Sequence, residues 1–310
     1  MTSVSILKDP SRQALHNQTI TLSDDRQLGY AEFGSQSADA PVILTFHGFP
    51  GSRLEPAIFH NAATELNLRV IGIDRPGHGL SSPQPGRKLL DWPADVRALA
   101  RRLNIDRYYV LGYSGGGPYA LACAHQLPET EMLGVGVLSS VGPWHFGTAG
   151  MDIKLRVLFN ALAWAPWLAR LIIDTSFTKP VHEPDPIKMK ALTDNLLASM
   201  APADREFCGK PETLDIMMTS FRESFKHGSD AAMEEGRIIT TDWGFELGQI
   251  SAPNVRLWHG SADHNTPVSM GRYLAEQIPR VQYKEYEGDS HYTIHYRLIE
   301  ILQGLVGAGQ

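Results

Sequence analysis

Gly112-Tyr113-Ser114-Gly115-Gly116 constrains this chain more than any other segment. Strand-forming residues, Tyr108-Tyr109-Val110-Leu111, precede it, and helix-forming residues, Tyr119-Ala120-Leu121-Ala122-Cys123-Ala124, follow it. A serine between glycines at a strand-to-helix corner sits on a strained turn that lifts its hydroxyl clear of a sheet. The glycines are required because a side chain there would strike the neighbouring strand or helix. The helix N-terminus behind the serine favours negative charge building up on a bound carbonyl. A Gly-rich turn that only caps a helix would explain the glycines but not the residues that follow.

Strands and helices alternate on both sides of this corner. Residues 19–22 and 27–31 read as short strands joined by a polar turn. Residues 42–46 are a continuous apolar run, the mark of a strand buried on both faces. Residues 69–73, 135–138, 255–259 and 281–286 read as further strands, with a helix at 92–103. The pattern calls for an α/β architecture, a mostly parallel sheet with helices on both faces. Active sites in such sheets lie at the carboxyl ends of the strands. From about residue 142 to 240 the alternation stops. That stretch is mainly helical, interrupted by prolines and rich in Trp, Leu, Met and Phe. The expected organisation is a core domain of residues 1–141 and 241–310 and an inserted helical cap of residues 142–240.

A serine nucleophile needs a base, and the base needs an orienting acid. The loop after strand 255–259 ends in Gly260-Ser261-Ala262-Asp263, which makes Asp263 the acid. Asp242 is the weaker candidate because it closes no strand. His264 adjoins Asp263, and adjacent side chains rarely face each other. His291 follows a strand and the tight loop Glu287-Gly288-Asp289-Ser290, so it is the expected base. His295 reads as a packed or solvated helix residue. A zinc site on His291 and His295 is not expected, since Tyr292 stands where the metalloprotease pattern needs Glu and no third ligand is evident. No metal and no cofactor are expected. The oxyanion donors are the amides of Gly115, after the serine, and Phe49, in the loop His47-Gly48-Phe49-Pro50-Gly51. His47 is expected to organise that loop and His78 to stabilise its own turn.

In this order, the segments His47-Gly48-Phe49-Pro50-Gly51-Ser52, Asp74-Arg75-Pro76-Gly77-His78-Gly79, the Ser114 corner, His259-Gly260-Ser261-Ala262-Asp263 and Gly288-Asp289-Ser290-His291 resemble the α/β-hydrolase superfamily. The resemblance covers about residues 19–141 and 240–305. It implies an eight-stranded α/β-hydrolase fold and a triad of Ser114, Asp263 and His291. The similarity is to capped members, which include esterases, lactonases, carbon–carbon bond hydrolases, epoxide hydrolases and dehalogenases. Epoxide hydrolases and haloalkane dehalogenases carry Asp in the elbow, so Ser114 argues against both. Proline iminopeptidases usually carry Trp there, and no cap acids stand out to hold a peptide amine. The leading expectation is a cofactor-independent serine hydrolase acting on an ester or lactone of a hydrophobic small molecule. A carbon–carbon hydrolase or cyclisation catalyst is the alternative, and a small-molecule receptor is a third. Tyr113, Trp144, His145, Phe146 and Trp164 are the expected substrate contacts.

Bulk properties narrow the class. With 310 residues, 43% of them hydrophobic, the chain can build a full core. A net charge of −6 and the lack of a basic tract argue against nucleic acid as a partner. Cys123 and Cys208 are too few for a disulfide framework and fit a reducing compartment. Asp9, Pro10, Arg12 and His16 interrupt the first twenty residues, so no secretion signal is expected and a cytoplasmic location is. No apolar run is long enough to span a membrane.

Overall fold

The computed structural model describes residues 5–307. Residues 1–4 and 308–310, at the ends of the expected core domain and at the start of the segment read for a secretion signal, lie outside the described residues. The sheet contains β1 (Gln18–Thr21), β2 (Gln27–Gly34), β3 (Val42–Phe46), β4 (Arg69–Ile73), β5 (Tyr108–Tyr113), β6 (Met132–Leu138), β7 (Val255–Gly260) and β8 (Gln282–Tyr286). Their spatial order is β1-β2-β4-β3-β5-β6-β7-β8. β2 runs antiparallel to both β1 and β4, and every pairing from β4 to β8 is parallel.

Strand periodicity sorts the core into two layers. In β5, Tyr108 and Val110 face a cluster with helices Trp92–Arg102 and Gly117–Gln126. Tyr109, Leu111 and Tyr113 face the opposite cluster, with helices His60–Glu65 and Leu298–Gly307. The alternation follows from side chains pointing to opposite faces at successive strand positions. Every residue of β3 and β5 is buried, as the continuous apolar runs require.

A helical insertion separates β6 from β7. It contains helices Ile153–Trp164, Pro166–Ile173, Pro186–Ala198, Pro202–Cys208, Pro211–Ser224 and Asp230–Ile239. The prolines at 166, 186, 202 and 211 open helices rather than break them, because the first turn needs no N–H and suits the fixed φ of proline. Leu158, Phe159, Ala169, Ile173, Phe225 and Ile239 belong to an apolar cluster of the insertion. Trp243, Leu247 and Ile250 then return to the main core. Among the described residues, no helix is long and apolar enough to cross a membrane. Cys123 and Cys208 are free and buried.

Buried polar contacts tie the insertion to the sheet. Arg53 Nη1 reaches Glu223 at 2.6 Å and Asp74 at 3.0 Å. Arg75 pairs with Glu235, and His78 Nε2 stands 2.8 Å from the other Glu235 oxygen. Arg75, His78 and Glu235 are fully buried. Burial alone would push the Glu235 carboxyl up, but Arg75 and His78 hold it below the usual range. Glu235→Ala would strand the Arg75 charge. The expected loss of stability is about 3–5 kcal/mol, read from urea unfolding of both proteins. A loss under about 1 kcal/mol would show that Arg75 finds other compensation.

Candidate active site

Ser114 stands where β5 turns into the next helix, with φ +53°, a left-handed conformation that a non-glycine residue adopts only under constraint. The constraint is the tight approach of the following helix. A side-chain carbon on Gly112 would run into the Gly116 carbonyl oxygen, and one on Gly116 into the Phe46 carbonyl oxygen at the end of β3. Bare backbone at these positions lets the corner close against the neighbouring strand.

The loops after β7 and β8 bring Asp263 and His291 together. His291 Nδ1 lies 2.8 Å from Asp263 Oδ2. The other carboxylate oxygen accepts the amides of Asn265 at 2.8 Å and Thr266 at 2.9 Å. Thr266 Oγ1 also lies 2.9 Å from Asp263 Oδ2 and 3.2 Å from His291 Nδ1. Burial opposes charge on the His291 ring, but the charge and hydrogen bond of Asp263 outweigh it and hold the ring above the ordinary value of 6.5. Burial likewise opposes charge on Asp263, yet His291 and the loop amide hold it below the usual carboxylate range. Among the described residues, Ser114 Oγ and His291 Nε2 carry no protein hydrogen bond, and both residues line one cavity.

The loop after β3 lies beside the serine. A side-chain carbon on Gly115 would stand 3.1 Å from the Phe49 amide nitrogen, so the two residues adjoin at one side of the cavity they both line. Arg75 fastens this loop from below, donating to His47 O at 2.5 Å and Gly48 O at 2.9 Å. His47 Nδ1 lies 2.9 Å from Gly48 O while Nε2 accepts the Arg75 amide. Burial keeps the His47 ring well below its ordinary pKa, and hence neutral. His78 reaches Ser224 Oγ at 3.0 Å, in the insertion rather than only in its own turn.

The cavity holds about 810 Å³ between the sheet and the insertion. Phe159, Phe177, Leu192, Leu196, Met218 and Phe221 contribute to its apolar wall. Tyr113 lines it, but its hydroxyl is already committed to His291 O at 3.0 Å. Trp144, His145, Phe146 and Trp164 lie outside the lining. Trp144 packs on the apolar cluster of the insertion, and the two residues after it meet the helix Val268–Gln277. His145 Nε2 lies 2.9 Å from Tyr273 Oη, and the Phe146 ring packs at 4.6 Å from the same tyrosine. Trp164 is 79% exposed because its helix buries the face carrying Leu158, Phe159 and Leu162. Asp242 is exposed and caps the Gly244 amide. His295 is buried, edge-on to Tyr113 and stacked on Phe207, and burial lowers it to about 4.

Two cavity residues carried no motif. Asp204, from helix Pro202–Cys208 in the insertion, accepts the Ser290 hydroxyl and the Tyr292 amide at 3.1 Å, bracketing His291. Glu55 accepts the Gly48 amide at 2.7 Å. Glu55 lies three residues past Ser52 in a motif-bearing loop, so position hinted at it. Nothing local pointed to Asp204.

A family model described as the alpha/beta hydrolase fold matches residues 41–298, so the chain belongs to that family. The chain is 30% identical over 184 residues to the dihydrolipoyllysine-residue acetyltransferase component of an acetoin cleaving system from Pseudomonas putida, matching 57% of this chain but only 48% of that protein. It is 26% identical to a 2-hydroxy-6-oxononadienedioate/2-hydroxy-6-oxononatrienedioate hydrolase from Cupriavidus pinatubonensis, over 83% of this chain and 82% of the relative. An enol-lactonase from Burkholderia xenovorans has a similar structure, with TM-score 0.64 and 21% identity, covering 92% of this chain and all of that one (100%). At that identity the likeness is one of fold.

The charge of Asp204 helps hold the His291 ring above its ordinary value. Asp204→Asn should therefore lower the midpoint of the His291 ring titration, followed by NMR. An unmoved midpoint would mean that Asp263 alone sets it.

Proposed function

We propose that this chain is a cofactor-independent serine hydrolase that cleaves an ester or lactone of a hydrophobic small molecule. The observation that carries this reading is Ser114 in its left-handed corner on an apolar cavity that it shares with His291, whose far nitrogen is held by Asp263.

In this reading His291 Nε2 takes the Ser114 proton as Oγ attacks the carbonyl carbon. The amides of Phe49 and Gly115 hold the oxyanion, and loss of one such donor costs about 3 kcal/mol in the transition state. His291 returns the proton to the leaving oxygen. It then takes a proton from water, which attacks the acyl-enzyme, frees the acid and restores the Ser114 hydroxyl. Asp263 stays ionised, fixes the ring orientation and stabilises the imidazolium. The Ser114–His291 hydrogen bond, open in the free chain, forms as substrate fills the cavity.

Residues 142–240 act as a cap on a core of 1–141 and 241–310. The cap supplies most of the apolar wall, which supports a hydrophobic substrate. Besides histidines, the charged side chains of the lining are the carboxyls of Glu55, Asp152 and Asp204 and the amine of Lys154. Such a lining disfavours a diacid of the kind named for the Cupriavidus relative and supports a neutral substrate.

Wild type should hydrolyse a medium-chain p-nitrophenyl ester, and Ser114→Ala should lose on the order of 10⁴-fold or more in kcat while keeping its circular dichroism spectrum. Full activity in the variant would sink the mechanism. Failure of wild type both to turn over the ester and to be labelled at Ser114 by a fluorophosphonate would sink the serine-hydrolase reading.

A further inference from the structure

Glu55 places in the cavity a carboxyl that the proposed reaction does not use. Its Oε2 accepts the Gly48 amide, which fixes the carboxyl plane against the loop that carries Phe49. Its Oε1 has no hydrogen-bond partner among the described residues. A side-chain carbon placed on Gly48 would stand 3.3 Å from Oε1 and 3.4 Å from Ser114 Cβ. Oε1 and the serine therefore border the same small space. Two nearby polar atoms are engaged elsewhere. The Tyr113 hydroxyl is committed to His291 O, and His295 Nδ1 lies 2.9 Å from Tyr292 O.

We propose that Glu55 is a specificity residue that reads a hydroxyl group on the substrate, close to the scissile carbonyl. The placement of the carbonyl rests on the serine-hydrolase reading. The choice of a hydroxyl follows from the chemistry of the carboxyl. A substrate that fills the cavity expels water from Oε1, and a buried polar atom left unpaired is costly. An alkyl chain leaves it unpaired. Burial pushes Glu55 up to about 7 against the pull of the Gly48 amide, so both protonation states are present near neutral pH. A ketone pairs only with the protonated form and an ammonium only with the ionised form. A hydroxyl both donates and accepts, so it pairs with either. The apolar wall beyond accommodates the rest of the chain. The substrate class is a neutral medium-chain ester or lactone hydroxylated near its carbonyl.

The test uses three methyl esters of one medium chain length, unsubstituted, β-hydroxy and β-keto, at pH 8. Calorimetry gives Kd for Ser114→Ala and for Ser114→Ala combined with Glu55→Gln, and kcat/KM is measured for wild type and Glu55→Gln. Ser114→Ala should bind the β-hydroxy ester at least about tenfold tighter than the unsubstituted one. The glutamine keeps an acceptor for Gly48 but turns an NH₂ donor to the substrate. It should therefore move the β-keto to β-hydroxy affinity ratio about tenfold towards the ketone. Failure of the esters to bind, equal affinity for all three, or a hydroxyl preference that the glutamine leaves unmoved while kcat/KM falls uniformly would overturn the proposal. The last outcome would leave Glu55 as a support for Gly48. Absence of turnover by wild type counts against the hydrolase reading alone, since the Kd series needs no reaction.

Discussion

A fully buried guanidinium organises this molecule. Arg75 leaves the end of β4 and reaches beneath the loop that follows β3, where it donates to two successive carbonyls, His47 and Gly48. Its plane lies 4.6 Å over the Tyr119 ring, in the helix that begins just after Ser114. Its charge is met by Glu235, from the insertion. One side chain thus joins the Phe49 loop, the serine helix and the insertion. Lysine could not replace it, because only the planar fork serves two carbonyls and a carboxylate while stacking on a ring. An ion pair this deep is tolerable only when every partner is in place. The insertion is therefore part of what lets the loop beside Ser114 exist.

The opposite side of the cavity repeats the arrangement with a different residue. Asp204 descends from the insertion and accepts hydrogen bonds on both sides of His291, from Ser290 and from Tyr292. The loop that carries Phe49 and the ring of His291 are each backed by a carboxylate from the inserted segment, Glu235 through Arg75 and Asp204 through Ser290 and Tyr292. Any outward swing of the whole insertion must break both anchors, together with the Arg53–Glu223 contact. Not every helix of the insertion carries such an anchor. Pro186–Ala198 has no buried residue and still contributes Met189, Leu192 and Leu196 to the cavity wall.

The readings that transferred from sequence to structure rest on local physics. β3 and β4 appear at the residues their largely apolar runs predicted, because nearly every position of a strand covered on both faces is buried. The Ser114 corner is legible because a left-handed serine between two packed surfaces demands glycines around it. Asp263 and His291 were legible from chain order and strand ends, and they do meet. The aromatic residues near the insertion were not. Aromatic character says that a side chain prefers burial, not which surface buries it. His145 and Phe146 went to Tyr273 and Trp144 to the apolar cluster of the insertion, while Trp164 fell on the uncovered face of its helix.

By itself, then, the sequence determined the alternating sheet, the strand–turn–helix corner at Ser114 and the strand ends where Asp263 and His291 would stand, since each is written in a few neighbouring residues. Only the tertiary structure decided which residues border the cavity and what holds the site in shape. Arg75 and Glu235 are 160 positions apart, and Asp204 and Ser290 are 86 apart. Nothing in either stretch of chain marks its partner, because a buried charge acquires its meaning only from the group that folding brings against it.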